Sequence, residues 1–405
     1  MISLRLTGDN SVVPVVMFHS VGAENLDWVF NYISEPIATF EDKIRVLAEA
    51  GFHFATWSEL YAYMRGDASL PLPAILLTFD DGYLDNWVYA CPILKKYGAR
   101  GTIFVSSDFV DPSGQVRPTL EDVEAGRCRE EDLDISGFLN WEEMRRMESS
   151  GVMDIQSHAA THTWYFTSGR IMDFWKPGTR EYPWMAWNAR PDRKPFYMRE
   201  DQTSLVPLGT PVYEYGKSLC VMRYFPSEQI ADELAAYVEL NGGEGFFSEP
   251  DWHERLVKKH EEIFAKVEKG CRYETVEERR RRTLDELENS KQALEENLSK
   301  RVDFICWPGG AYDRLTLEEA QAAGYKAWTL GSSDQSSFRN VPGADFRQVK
   351  RIGSSIRQMW RGRELGYTTG REFYSGVRRH QGSVYHKWTG RVLKAARIVR
   401  SVILR

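Results

Sequence analysis

Short apolar runs alternate along the chain with segments of helical spacing, a pattern that predicts a parallel sheet or barrel. Val12-Val13-Pro14-Val15-Val16-Met17-Phe18 reads as a buried strand ending at His19, and Phe40, Ile44, Leu47 and Ala48 recur at helical intervals before Gly51. Ala74-Ile75-Leu76-Leu77 is a second strand, running into Thr78-Phe79-Asp80-Asp81-Gly82. Trp87 to Tyr97 has helical character up to Gly98, with Pro92 as a first-turn or kink residue. Gly101-Thr102-Ile103-Phe104-Val105 is β-branched and strand-like. Asn140 is placed to cap a helix that stops at Gly151, and Met153 to His158 follows as a strand. A long charged helical region, Glu254 to Lys300, leads into Val302-Asp303-Phe304-Ile305-Cys306-Trp307.

Between Trp164 and Pro250 the alternation fails. Fourteen aromatic residues fall between Trp164 and Phe225, with prolines and arginines interleaved. This predicts an irregular insertion large enough to form a lid. Trp175, Trp184 and Trp187 could stack on sugar rings there, and Arg170, Arg180, Arg190 and Arg193 could meet phosphate or carboxylate; an insertion core made of the same aromatics is the alternative. The expected division is residues 1–163 for the first part of the barrel and 164–253 for the insertion. Residues 254–360 form its second part, and 361–405 a basic tail.

Composition supports a packed core, with 42% hydrophobic and 13% aromatic residues. The net charge of −6 hides an asymmetry: from Arg361 onward eleven Lys/Arg face two Glu, so the tail carries +9 and the first 360 residues −15. In a helix over Arg391–Arg405, Val392, Ala395, Ala396, Val399, Val402 and Ile403 share a face. Lys394, Arg397 and Ser401 oppose them, with Arg391, Arg400 and Arg405 at the margins. That is the pattern of an interfacial membrane helix, and residues 387–405 are expected to meet an anionic membrane surface, with packing on the acidic body as the alternative. The run Arg279-Arg280-Arg281-Arg282 lies among glutamates and reads as a solvated helix face; no nucleic-acid partner is expected. Five scattered cysteines without a CxxC pair argue against a disulfide framework and for a reducing compartment. The N-terminus lacks the apolar core of a secretory signal and no stretch is long enough to span a bilayer. The expectation is a cytoplasmic protein, peripheral at the inner membrane face.

The chemistry concentrates at strand ends. Asp80 and Asp81 emerge side by side from an apolar strand, where like charges repel and are costly to desolvate. His158 and His162 are four apart. Two imidazoles and one carboxylate can hold a catalytic zinc while leaving a position for water. Neighbouring aspartates can then divide their roles, one on the cation and one facing the water, with the cation offsetting their repulsion. A solvated Asx-type turn and a pair of structural histidines are the plainer readings.

Together the pieces resemble a family. Thr78-Phe79-Asp80-Asp81-Gly82 and His158-Ala159-Ala160-Thr161-His162 are similar to the first two motifs of the polysaccharide deacetylases, carbohydrate esterase family 4 (the NodB-homology domain). Phe304-Ile305-Cys306-Trp307-Pro308-Gly309-Gly310-Ala311-Tyr312 is similar to the third, in the form used by the poly-β-1,6-N-acetylglucosamine deacetylases. Val16-Met17-Phe18-His19-Ser20-Val21 resembles that subgroup's entry strand. The resemblance covers roughly residues 12–163 and 275–355. It implies an α/β fold, a distorted (β/α) barrel, and a hydrolase that removes an N-acetyl group from an amino sugar. It makes Asp80 the general base and Asp81, His158 and His162 the ligands of Zn²⁺ or another divalent transition metal. The backbone N–H of Gly309 becomes an oxyanion donor. The chain departs from the family in four ways: Ala159-Ala160 fill the middle of the second motif, Gly309 stands where an aromatic is common, no arginine precedes Pro308 to orient Asp80, and no Leu-His motif supplies a general acid. Val349-Lys350-Arg351-Ile352-Gly353 occupies the approximate place of that motif, and His19 is the candidate acid or substrate contact. The expected partner is an N-acetylated glycan or a lipid-linked sugar. Removal of another N-acyl group, such as formyl, would use the same site, and a catalytically degenerate glycan-binding member is the rival reading.

Overall fold

The computed structural model describes residues 8–331, 338–355, 357–360 and 363–403. The first seven residues, Arg361 at the head of the tail, and Leu404 and Arg405 at its end lie outside the described residues. The chain divides into two compact units: residues 1–159, 290–310 and 325–405, and residues 160–289 and 311–324.

The first unit is built on nine parallel strands: β1 (Val15–Phe18), β2 (His53–Phe54), β3 (Ala74–Phe79), β4 (Gly101–Val105), β5 (Met153–Ser157), β6 (Phe304–Ile305), β7 (Ala327–Thr329), β8 (Gln348–Val349) and β9 (Arg351–Gly353). Their order is β8-β7-β6-β5-β4-β3-β1-β9, with β2 added to β3. All six residues of β3 are buried, as expected of a strand covered on both faces. The ladder path is open, yet its two ends, β8 and β9, are separated only by Lys350. Asn340 bridges that interruption: its amide donates to the carbonyls of Val13 and Lys350 and its Oδ1 accepts the Lys350 N–H. Val349, at one end of the path, shares a single core cluster with Leu76, Phe104, Phe304 and Val15, near the other end. A flat sheet could not bring those side chains together, so the sheet curls in the manner of the distorted barrel. Trp57 fills the cluster, edge-on to Phe104 at 5.2 Å between ring centroids.

Local sequence explains the helices around it. Thr56 and Asn140 each close a capping box, with Glu59 and Glu143, and Gly66 and Gly151 end the same helices with φ of 81° and 71°. Pro92 opens the helix Cys91–Lys96 after a π-helical turn over Asn86–Ala90, so the predicted helix from Trp87 starts irregularly. At the C-terminus, Val384–Ile403 is one helix. Its Arg397 faces inward, donating to the Tyr367 carbonyl at 2.6 Å and pairing with Glu372, while Tyr385, Trp388, Val392 and Val399 stay exposed. Among the described residues no helix is long and apolar enough to cross a membrane.

The second unit is more regular than its sequence predicts. A long antiparallel pair, Trp164–Phe174 with Pro211–Lys217, crosses it. The charged helical region expected from Glu254 to Lys300 is two helices: Trp252–Val267, which ends near Gly270, and Val276–Leu298. Phe174, Leu234, Phe246, Leu256 and Ile263 make its core, and Trp175, Trp184 and Trp187 are buried, so the tryptophans pack inside rather than present faces to a sugar. Arg170, Arg190 and Arg193 are neutralised by Glu214, Asp192 and Glu200. Arg279, Arg280 and Arg282 of the basic run pair with Asp313, with Glu318 and Glu319, and with Glu274.

Candidate active site at the strand ends

The register of the sheet assembles the site. Phe18 pairs with Phe79, so His19 and Asp80 are the next residues on adjacent strands. Ser157 pairs with Ile305, so His158 and Cys306 follow side by side. In parallel α/β sheets and barrels, the carboxyl ends of the strands are where side chains from many strands converge on a reactant.

Asp80 is 3% exposed. Its backbone N–H donates to the Phe18 carbonyl at 3.1 Å. Its carboxylate is gripped by Arg351, whose Nη1 donates to Oδ1 at 2.6 Å and whose Nη2 donates to Oδ2 at 2.8 Å. This two-point grip leaves the carboxylate one orientation. Burial alone opposes ionisation of Asp80, but the Arg351 guanidinium outweighs it and holds the carboxyl below its ordinary range. The same pairing overcomes the burial of Arg351 and raises its pKa. The orienting arginine missing before Pro308 therefore arrives from β9, the segment where the sequence suggests a general acid. Two further groups touch Asp80. The Cys306 thiol lies 3.4 Å from Oδ2, and burial pushes that thiol well above its usual range. His19 Nε2 stands 3.9 Å from Oδ2, and burial lowers the pKa of its ring despite the nearby Asp80 and Asp81.

Asp81 adopts φ 76° and Gly82 φ 75°. Two consecutive left-handed residues turn the chain sharply as it leaves β3, and a Cβ on Gly82 would approach Val105 to 3.2 Å. The turn separates the two carboxylates: Asp80 meets Arg351, and Asp81 Oδ1 lies 3.1 Å from His158 Nε2. His158 is held by its backbone N–H on the Val105 carbonyl and by its ring Nδ1, 2.8 Å from the Cys306 carbonyl. A carbonyl only accepts, so Nδ1 carries a proton, and Nε2 is the ring nitrogen turned toward Asp81. A carboxylate and an imidazole oriented through its second nitrogen suit a divalent transition metal. Asp80, His158 and Cys306 also place ligand-type atoms within 4.8 Å of one another. That set fits a cation poorly, because Asp80 is engaged by Arg351 and the thiol strongly resists ionisation.

The remaining expected residues are placed as follows. Ala159 turns the chain with φ 58°, and His162, with φ 40°, falls in the second unit, where its ring meets Trp164 edge-on at 5.7 Å. Gly309 has φ 56° inside the turn Pro308–Gly310 that follows β6. Asp85, four residues beyond Asp81, is buried and accepts from Ser20 and Asn86; burial pushes its pKa up to about 7. Asn86 in turn donates to the His19 carbonyl at 2.9 Å, tying this segment to the end of β1.

Arg351 and Cys306 are the site residues that motif reading passes over. The signal for Arg351 is the period-two alternation of strands: it follows buried Val349 by two residues and so shares its face.

The sequence profile of the polysaccharide deacetylase family matches residues 67–183 and 260–328, which include the paired aspartates, both histidines and the Cys306 turn. The chain carries a polysaccharide deacetylase domain. Over 93 residues, 23% of its length, it is 34% identical to YxkH of Bacillus subtilis (strain 168), whose name places it with the polysaccharide deacetylases. Over 149 residues, 37% of its length, it is 26% identical to the poly-β-1,6-N-acetyl-D-glucosamine N-deacetylase of Escherichia coli (strain K12). These stretches span 31% and 20% of the two relatives. The solved BpsB deacetylase domain from Bordetella bronchiseptica shares the fold, with a TM-score of 0.50 at 18% identity over 85% of this chain and 97% of that one.

Proposed function

We propose that the protein is a metal-dependent N-deacetylase acting on an N-acetylated amino sugar of a surface polysaccharide or glycolipid. The observation that carries this reading is the separation of the paired aspartates, with Asp80 clamped by Arg351 and Asp81 turned onto the Nε2 of His158. Asp81, His158 and His162 would hold the cation. When bound, Zn²⁺ or a similar ion supplies Lewis acidity toward a water and the amide carbonyl. Asp80 takes a proton from the attacking water as the new C–O bond forms. The Gly309 N–H would donate to the oxygen that gains charge. When the C–N bond breaks, the proton taken up by Asp80 passes through His19, which stands beside it, to the departing amine, and acetate and the free amino sugar result. A formyl group in place of acetyl would need the same residues.

The helix Val384–Ile403 bears on where the substrate is met. Tyr385, Trp388, Val392 and Val399 line its exposed side, no acidic residue occurs along it, and Lys387, Arg391 and Lys394 flank the stripe. An anionic membrane surface is the matching partner, which favours a lipid-linked sugar at the inner membrane face.

The test is acetate release from N-acetylglucosamine oligosaccharides by the Zn²⁺-loaded protein. Asp80→Asn is expected to lower kcat by about 10²–10⁴, the usual contribution of a general base. Full activity in that variant would remove Asp80 from the mechanism, and no release from any N-acyl saccharide would leave the degenerate-binder reading standing.

A further inference from the structure

Five side chains of the second unit form one stack. In order they are Arg272, Phe225, Arg223, Tyr165 and Arg282, with guanidinium carbons 4.3, 4.5, 4.3 and 5.0 Å from successive ring centroids. Attraction between each cation and the negative ring faces holds such a stack together. The outer arginines are neutralised. Arg272 donates to Glu278 at 2.9 Å, and Arg282 donates to Glu274 at 2.7 and 2.9 Å.

The central arginine differs. Glu274 accepts the backbone N–H of Arg223 at 3.0 Å, but among the described residues no oxygen accepts from its guanidinium. The side chain is half-buried between the rings. Burial holds its pKa below that of an ordinary arginine; neighbouring Arg282 and Arg272 push the same way, and Tyr165 and the Glu274 carboxylate push against them. Rings cover both faces of the guanidinium, so its N–H edges are what remains for an acceptor. That planar fork, immobilised before any ligand arrives, matches two oxygens of a phosphate or carboxylate. Arg170, Arg190 and Arg193 already have such a partner in this unit; Arg223 does not.

We propose that Arg223, held between Tyr165 and Phe225, is the binding site for an oxyanion, the phosphate or carboxylate group of a charged saccharide. The oxyanion part rests on the stack alone; the saccharide part rests on the deacetylase reading. A phosphate would come from a sugar joined to a lipid or nucleotide carrier, and a carboxylate from a uronic acid.

Isothermal titration of the full chain with glucose 1-phosphate and with glucuronic acid at 0.15 M salt separates these sources. At least one is expected to bind saturably, and the tighter one names the group. Arg223→Gln should weaken that binding at least tenfold, while Arg170→Gln, which removes an exposed arginine already paired with Glu214, should leave it unchanged. Arg223→Lys keeps a charge in the stack without the fork and should lose at least threefold. It also serves if the Gln variant fails to fold by circular dichroism. Absence of binding for both sugars, equal binding by the Arg223 variants, or an equal loss in Arg170→Gln overturns the site. Acetate release enters none of these readouts, so failure of the deacetylase reading and failure of this one are seen separately.

Discussion

Replacing Arg351 by glutamine removes one half of a buried ion pair and leaves the other in place. Asp80 is 3% exposed and its two oxygens take bonds of 2.6 and 2.8 Å from Arg351. Breaking a buried pair in this way costs about 3–5 kcal/mol, because the surviving carboxylate is desolvated and uncompensated. The protein has a cheaper response than keeping that charge: burial, no longer outweighed, raises the pKa of Asp80, and the acid holds its proton. A protonated Asp80 cannot act as a base. Acetate release at pH 7 is therefore expected to fall by about 10²-fold or more, with partial recovery as pH rises toward the new pKa. Arg351→Lys retains the charge but not the fork, and should recover part of the stability with less of the rate. The sign for stability follows from the lowered pKa of Asp80 in the wild type. The pair stabilises the fold above the unfolded-state pKa, and that contribution is lost as pH falls through the folded-state value; in the glutamine variant this acid-side loss should disappear. Acetate release measured from pH 5 to 10 and urea unfolding from pH 3 to 8 check both halves. A wild-type pH–rate profile in Arg351→Gln would refute the claim that Arg351 keeps Asp80 ionised.

Three shorter expectations accompany it. His158→Ala should abolish stoichiometric zinc by elemental analysis after dialysis against a weak chelator; full retention of zinc would place the cation elsewhere. Asp85 has a raised pKa, about 7 against 3.8, so its contribution to stability is greatest at low pH and is lost as pH rises through that window. Urea unfolding of the wild type should weaken between pH 4 and 8 by up to a few kcal/mol, since each pKa unit corresponds to about 1.4 kcal/mol, and Asp85→Asn should flatten the trend. Liposome flotation with anionic vesicles should fall at least tenfold in the double variant Tyr385→Ser, Trp388→Ser, which removes two exposed aromatics of the C-terminal helix; equal flotation would assign that face to another partner.

The sequence reveals much of this site because strand ends are written locally. A short apolar or alternating run with a polar residue at its end places His19, Asp80 and His158 at strand ends without reference to the rest of the chain. What it hides is contact across long separations. Arg351 meets Asp80 across 271 positions, and nothing near either residue announces the other. The charge of an arginine in a short strand is ambiguous: it can be an exposed edge residue or, as here, a buried partner. Motif comparison adds its own blind spot, since it looks for an orienting arginine where relatives carry one, before Pro308. The regular pairing inside the second unit is hidden for a related reason, although its aromatics do form a core of their own. Its tryptophans are spaced irregularly because they pack around an antiparallel pair joined by a long excursion, and irregular spacing looks like a loop when the partner strand is forty residues away. Charge reads no better there. Along the chain Arg170, Arg180, Arg190 and Arg193 are open to a phosphate or carboxylate, and folding brings Arg170, Arg190 and Arg193 each to a carboxylate of the protein itself. Only after those pairs are subtracted does Arg223 stand out, and that subtraction requires the structure.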